Sequence, residues 1–261
     1  MKYSGERAHP NDSTFETDNE MQDKTIQHYK FAKKFISTGF VLDAGTALGF
    51  GVNELFPTTA EKIFAVEINK EAVKIATTIN KHKNLEFHIG DLTKLEFGND
   101  YFSTTLCMEV IEHINKPETA LDELARTLKK NGTLIISTPN KNAMKNEFTN
   151  APNNPFHLFE FDKWELENFL LKKFSNVEIY YQDKVLLKKS IIKTILNFFI
   201  ALDIFRVRAI MLNLFGMKIR KNFALTKAGK GDFSVKEFNK SDFKKNETPA
   251  FFIAVCKNKI N

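Results

Sequence analysis

The chain has 261 residues, 43% of them apolar, enough to bury a full core in one large α/β domain with an insertion or in two small domains. Its net charge of +6 is uneven: residues 184–221 hold nine Lys/Arg and one acid, Asp203, while the other 29 bases and 31 acids nearly cancel, which excludes an anionic partner for the chain at large and confines that question to one segment. Cys107 and Cys256 sit in apolar runs and read as buried reduced thiols, not as a disulfide or a metal pair; with a polar N-terminus lacking a signal-peptide pattern, this predicts a cytoplasmic protein.

The first 20 residues are polar. Residues 22–37 carry Ile26, Tyr29, Phe31, Ala32, Phe35 and Ile36 at helical spacing. "FVLDAG" (40–45) reads as a short buried strand ending in a glycine turn, and "GVNELF" (51–56) opens a helix. "KIFAVEI" (62–68) is a second strand, and "NKEAVKIATTIN" (69–80) a helix capped by Asn69. Strands three and four are "LEFHIGD" (85–91) and "YFSTTLCMEV" (101–110). A helix then runs from Pro117 to Gly132, and "TLIISTP" (133–139) is strand five. Beyond an Asn/Pro-rich loop lie a helix at 163–174, strand six at 176–182 and a last strand at 250–258. Strands alternating with helices at this spacing predict βαβ units and a parallel sheet. The divisions are an N-terminal lead over 1–37, a core over 38–183, an insertion over 184–248 and a final strand over 249–261.

The loop "VLDAGTALGFG" (41–51) is made almost wholly of small residues. Its glycines, Gly45, Gly49 and Gly51, fit neither the G-x-G-x-x-G register of a dinucleotide loop nor a phosphate loop with a following Gly-Lys-Ser/Thr. The expectation is a loop that approaches a ligand without a phosphate. Asp43 suits a cationic ligand; Glu67, at the tip of strand two, can accept both hydroxyls of a ribose; Asp91, after strand three, can accept from the exocyclic amine of a base. A cation, a ribose and an adenine without phosphate together describe S-adenosylmethionine.

The ordered set "VLDAGTALGFG", "AVEINKEAVKIA", "GDLTKLEF", "EVIEHI" and "GTLIISTPN" resembles the motifs of class I S-adenosylmethionine-dependent methyltransferases. "SGERAHP", "HYKFAKKFI" and "NPFHLFEF" followed by "YYQ" extend the similarity to a bacterial branch associated with O-methylation of sugars on surface glycans or lipid-linked oligosaccharides. The resemblance implies a Rossmann-like α/β fold with a seven-stranded, mostly parallel sheet, an antiparallel last strand and a helical insertion between strands six and seven. It implies that Asp43, Gly45, Thr46, Ala47 and Gly49 form the methionine and ribose side, with Glu67 on the ribose diol, Ile68 against the adenine, Asp91 and Leu92 flanking the base, and Glu109 also in the cofactor site. The family usually has glycine at the position of Ala47 and often cysteine at that of Thr46. Alanine permits close approach if its φ is negative, and narrows the loop.

For the chemistry, "EVIEHI" (109–114) leaves three readings open. His113, with Glu112, is a general base for a hydroxyl acceptor. Alternatively Glu109, Glu112 and His113, on one side of a helical turn, bind Mg²⁺ or another divalent metal with His157 as a fourth ligand. That pattern resembles the metal sites of small-RNA 2′-O-methyltransferases and of some ubiquinone-pathway O-methyltransferases. In the third reading, Glu112 and His113 only pin the loop.

Within 184–221 no charge-free run exceeds nine residues (Thr194 to Leu202 is one), far short of the ~20 that span a bilayer. The segment reads as a lid over the substrate pocket or a homodimer contact. The other reading is a peripheral membrane surface in which Lys188, Lys189, Arg206, Arg208, Lys218, Arg220 and Lys221 meet anionic head groups of the inner membrane. Lacking interleaved Tyr or Trp, it suits nucleic acid less well. The expected activity is methylation of a saccharide or lipid-linked glycan hydroxyl. The alternatives are a metal-dependent RNA 2′-O-methyltransferase, a quinone-type O-methyltransferase, and a non-catalytic cofactor-binding scaffold.

Overall fold

The computed structural model describes residues 19–144, 152, 154, 156–186, 234–244 and 246–258. The strands are β1 (Phe40–Ala44), β2 (Lys62–Glu67), β3 (Leu85–Ile89), β4 (Phe102–Met108), β5 (Leu128–Pro139), β6 (Phe174–Leu186), β7 (Val235–Glu237) and β8 (Glu247–Asn258). They form one sheet in the order β3-β2-β1-β4-β5-β8-β6-β7. The first five pair in parallel, and β8 runs antiparallel to β5 and β6, so the last strand is reversed as expected. The sheet has eight strands, not seven. β7 adds an antiparallel edge, with Gln182 opposite Val235 and Tyr180 opposite Glu237. Three residues, two of them charged, are too few for a period-two pattern to register.

The helices are α1 (Asn19–Ala32), α2 (Lys70–Ile79), α3 (Pro117–Thr127), the single turn α4 (Lys141–Met144) and α5 (Lys163–Leu171). Strand side chains alternate between two cores, as the pleat requires. Leu42, Phe64, Cys107 and Ile136 pack with Leu121, Leu124, Leu166 and Phe169 of α3 and α5. Val41, Ile63, Leu106 and Ile135 pack with Tyr29, Phe31 and Ala32 of α1. Helices therefore cover both faces. Both cysteines are free and buried, in agreement with the sequence.

Several boundaries differ from the sequence reading, each for a local reason. Only a 3-10 turn forms over Gly51–Leu55, because Pro57 holds Phe56 extended (φ −88°, ψ 148°) and leaves no room for an α-helix. α3 ends at Thr127 and not at Gly132: its last carbonyls, Arg126 O and Thr127 O, accept from Asp100 N and Tyr101 N at 3.1 and 2.8 Å, which draws Leu128 into the sheet beside Phe102. β4 stops at Met108 because Glu109 turns to φ +56°. α2 begins as expected, with Asn69 Oδ1 accepting from Glu71 N and Ala72 N at 2.9 and 3.0 Å. β6 extends past residue 183, and most of the insertion, 187–233, lies outside the described residues, as do residues 1–18. Among the described residues no helix is long and apolar enough to cross a membrane.

Strand order reverses between the parallel neighbours β1 and β4: β2 and β3 build to one side, β4 and β5 to the other. Open α/β sheets bind ligands at the carboxyl ends of strands flanking such a switch point. The acids singled out above lie there.

Candidate active site

β1 ends in Asp43 and Ala44, and the loop that follows wraps over the tip of β2. Gly45 N and Thr46 N both donate to Val66 O, at 2.8 and 3.1 Å, and Gly49 N donates back to Thr46 O at 2.9 Å. Gly45 and Gly49 sit at φ +86° and +74°, where glycine alone is unstrained. Ala47 is also left-handed, at φ +49°, so the condition under which alanine permits close approach is not met. A β-carbon on Gly45 would meet Val110 Cγ2 at 2.5 Å, one on Gly49 would meet the Phe87 ring at 2.8 Å, and one on Gly51 would meet the Tyr29 ring at 2.1 Å. The small residues are therefore demanded by the fold itself. The spacing of the glycines is no evidence of a ligand, and the weight of a cofactor reading falls on the polar groups.

Those groups are arranged as follows. Glu67 is buried at the end of β2, and its carboxylate accepts from Ala47 N (3.2 Å) on one side and Asn69 N (2.9 Å) on the other. It thus ties the glycine loop to the start of α2. Asp43 is fully buried beneath the loop, with Oδ1 accepting from the Tyr29 hydroxyl of α1 at 2.8 Å. Its Oδ2 and the Thr46 hydroxyl are buried beside each other. Burial pushes Asp43 up to about 6; the Thr46 and Tyr29 hydroxyls oppose the rise, and the Glu67 charge adds to it. Ile68 and Ile89, at the tips of β2 and β3, are 57% and 55% exposed. Asp91 is exposed, with Oδ1 accepting from Thr93 N and Thr93 Oγ1, both at 2.8 Å, while Leu92 is buried in the core. Ile89 was not singled out by its sequence; its only signal is a bulky apolar residue just before Gly90 at a strand end.

After β4, Val110 packs on Gly45, so "EVIEHI" abuts the glycine loop. The expected four-ligand set is only partly assembled. Ligand atoms of Glu112, His113 and His157 lie within 4.8 Å of one another, and Glu109 is outside that group. The helical spacing assumed for these residues fails because Glu109 has φ +56° and only a 3-10 turn, Ile111–His113, follows. Glu109 Oε1 instead accepts from Ser137 Oγ at 2.6 Å and lies 3.7 Å from His28 Nδ1. His28 is buried, pairs with Gln182 Oε1 at 3.0 Å, and is pushed by burial down to about 4, so it stays neutral. Glu112 is fully buried with Oε2 accepting from Thr138 Oγ1 at 3.2 Å; burial, then the Glu109 charge, holds its carboxyl well above the usual range. The His113 and His157 rings meet edge to face, centroids 4.9 Å apart. The loop carrying His157 is anchored by Leu158 N donating to Glu112 O at 2.9 Å and by Lys141 N donating to Phe161 O at 2.9 Å.

The pattern of a switch-point site with an acid beneath a left-handed loop and a second acid on the next strand agrees with a comparison of the sequence with known families: residues 37–199, well over half the chain, match the methyltransferase domain. The chain belongs to the class I S-adenosylmethionine-dependent methyltransferase family.

Among curated relatives, the chain is 30% identical over 131 residues to a probable S-adenosylmethionine-dependent methyltransferase of Mycobacterium tuberculosis, covering 50% of this chain and 46% of that one. It is 27% identical over 118 residues to a ubiquinone biosynthesis O-methyltransferase of Xanthomonas oryzae, covering 43% and 48%. The chain thus spans about half the length of the curated relatives it matches. Among solved structures, a Thermotoga maritima S-adenosylmethionine-dependent methyltransferase described as a possible histamine N-methyltransferase superposes with a TM-score of 0.58 at 17% identity, over 93% of this chain and 96% of that one, which shows the shared fold.

The residues of this chain fit the cofactor that its family implies. Asp43 and Thr46 bring buried oxygens to the loop, Glu67 is an acceptor at the β2 tip, and the exposed Ile68 and Ile89 offer apolar surface beside it. Among the described residues, the fit to a divalent metal is through Glu112, His113 and His157.

Proposed function

We propose that this chain transfers a methyl group from S-adenosylmethionine to a hydroxyl oxygen, on a sugar of a surface glycan or a lipid-linked oligosaccharide. The observation that carries the reading is the pair of buried acids on adjacent strand tips, Asp43 and Glu67, joined through the loop they hold. The cofactor supplies a methyl group already activated on sulfur, so the protein's task is alignment. Glu67 orients the loop and presents its remaining acceptor capacity to a ribose diol. Ile68 and Ile89 keep water from one face of a purine, and Asp91 retains a carboxylate oxygen beyond its turn for a base amine. The acceptor class is supported by the resemblance of the outer motifs to the glycan branch. The excess of basic residues in 184–221 suits an acceptor carried on an anionic lipid, at the cytoplasmic face of a membrane.

Calorimetric titration with S-adenosylhomocysteine tests the cofactor site. Glu67→Ala is expected to weaken binding by about tenfold or more, since a charge-assisted pair is lost; equal affinity would move the ribose elsewhere. Mass spectrometry of glycan and lipid fractions from cells with and without the gene tests the acceptor, through the mass of one added methylene group.

A second reading is favoured by the Glu112, His113 and His157 cluster: metal-assisted O-methylation of a small quinone-type or ribose hydroxyl. Bound there, a divalent cation would lower the acceptor's pKa, and His113 would be a ligand and not a base. Methyl transfer abolished by EDTA and restored by Mn²⁺ separates this reading from a metal-free one. A protein that binds the cofactor and methylates no acceptor would be a scaffold.

A further inference from the structure

We propose that Glu160 is the positioning residue of a divalent-cation site whose ligands are Glu112, Nε2 of His113 and Nε2 of His157, and that Asn154 is the group a cation displaces on entry. The inference rests on the metal-assisted reading above. Hydrogen-bond directions set the state of the His157 ring. Phe156 N donates to Asn154 Oδ1 at 3.0 Å, so the amide turns its Nδ2 toward His157 Nε2, 3.1 Å away. That ring nitrogen must accept and so carries no proton. The proton is on Nδ1, which donates to Glu160 Oε1 at 2.7 Å. His113 Nδ1 faces the carbonyl oxygen of Phe156 at 3.0 Å and donates to it. The His157 imidazole therefore holds the metal-binding tautomer before any ion arrives, and a carboxylate behind a ligand histidine is the arrangement that fixes ring orientation and raises ligand basicity.

Charge points the same way. Glu112 and Glu160 are both buried, each keeps one oxygen without a hydrogen bond, and among the described residues neither has a lysine or arginine partner. Glu112 and Glu160 thus bring two buried oxygens without a hydrogen bond beside the two imidazoles. Oxygen and imidazole donors suit Mn²⁺ or Zn²⁺. The Asn154 contact is a single neutral hydrogen bond, so displacing it costs little.

The test is Mn²⁺ titrated by calorimetry into the EDTA-stripped full chain, as wild type, Glu160→Gln and Asn154→Ala. The wild type is expected to take up one Mn²⁺. Glu160→Gln should bind it about 10- to 100-fold more weakly, and Asn154→Ala should bind at least as tightly as wild type. Nitrogen-15 NMR of the histidines in the metal-free wild type, which needs no variant to fold, should report the Nδ1–H tautomer for His157. Wild-type affinity in Glu160→Gln, or the Nε2–H tautomer in the wild type, overturns the role of Glu160; weakened binding in Asn154→Ala overturns that of Asn154. A wild type that binds no Mn²⁺ overturns the metal reading along with this inference, while S-adenosylhomocysteine binding by the same sample tests the cofactor site separately.

Discussion

Ala47 carries a β-carbon at φ +49°, in the middle of a loop whose other turning points are glycines. That conformation costs a non-glycine residue roughly 1–2 kcal/mol, partly offset in any glycine variant by the freer unfolded chain. Ala47→Gly is therefore expected to raise stability by about 0.5–1 kcal/mol, read as a higher urea midpoint at unchanged slope. Asp43 makes the complementary case, in which charge and not backbone is strained. Its carboxyl goes from an ordinary value of 3.8 to about 6 on folding, so the folded state holds the proton more tightly than the unfolded chain. The neutral form is the favoured one in the fold: stability is greatest at low pH with respect to this group, declines between the two values, and is flat above the upper one. Asp43→Asn keeps an acceptor for Tyr29 and offers an N–H toward Thr46 Oγ1. It should be more stable than wild type by about 2 kcal/mol near pH 8, with the gain vanishing toward pH ~4. Thermal melts across that range check it; a gain independent of pH would contradict the burial account. A strained alanine and a destabilised acid in one loop are what a binding site looks like when stability has been given up for function.

At the scale of elements, α1 is tied to the site by adjacent side chains with different targets. Tyr29 lies over Gly51 and donates to Asp43, while His28 reaches Gln182 of β6 and comes within 3.7 Å of Glu109. Both contacts come from a helix that precedes the matched methyltransferase domain. Gly51→Ala places a β-carbon 2.1 Å from the Tyr29 ring, so ring or loop must move. The expected result is a loss of about 1–3 kcal/mol and weaker S-adenosylhomocysteine binding, because the acid beneath the loop loses its hydroxyl partner. An unaffected variant would mean that α1 is a cover and not a wall of the site. α5 plays the matching part for His157. Asp162 caps it, accepting from Glu165 N at 2.9 Å, and this fixes where the 156–161 loop leaves the helix.

For the whole molecule, the consequential feature is where the basic segment is attached. β6 and β7 are antiparallel neighbours with Gln182 opposite Val235, so the chain between them leaves and returns at one edge of the sheet. Shortening that connection leaves the pairing of β1 to β5 untouched, and the acids at their tips with it. Deleting 188–220 is expected to leave S-adenosylhomocysteine affinity within about twofold of wild type, since effects of distant sites add independently. Flotation with anionic vesicles, if the segment is a membrane surface, should fall to background. Vesicle binding that survives the deletion would place the lipid contact elsewhere.

How much of this could be read beforehand divides along physical lines. The order of strands and helices, the reversed last strand and the three strand-end acids were legible because apolar periodicity and turn residues are local signals: Asp43 and Glu67 stand at the ends of strands buried on both faces, and Asp91 follows Gly90 after the half-exposed edge strand β3. The short edge strand β7 was not, since three residues carry no period, nor was the end of α3, which is decided by carbonyls accepting from a loop far away in sequence. The separation of Glu109 from Glu112 and His113 turned on one backbone angle. That the glycines answer to Val110, Phe87 and Tyr29, that α1 reaches Asp43, and that Glu160 stands behind His157 depend on which side chains distant segments bring together. The sequence by itself determined the family, the sheet and the acids at its rim; which of those acids are partnered, and by what, only the tertiary structure decided, because hydrogen bonds and packing between remote segments leave no periodicity in the chain.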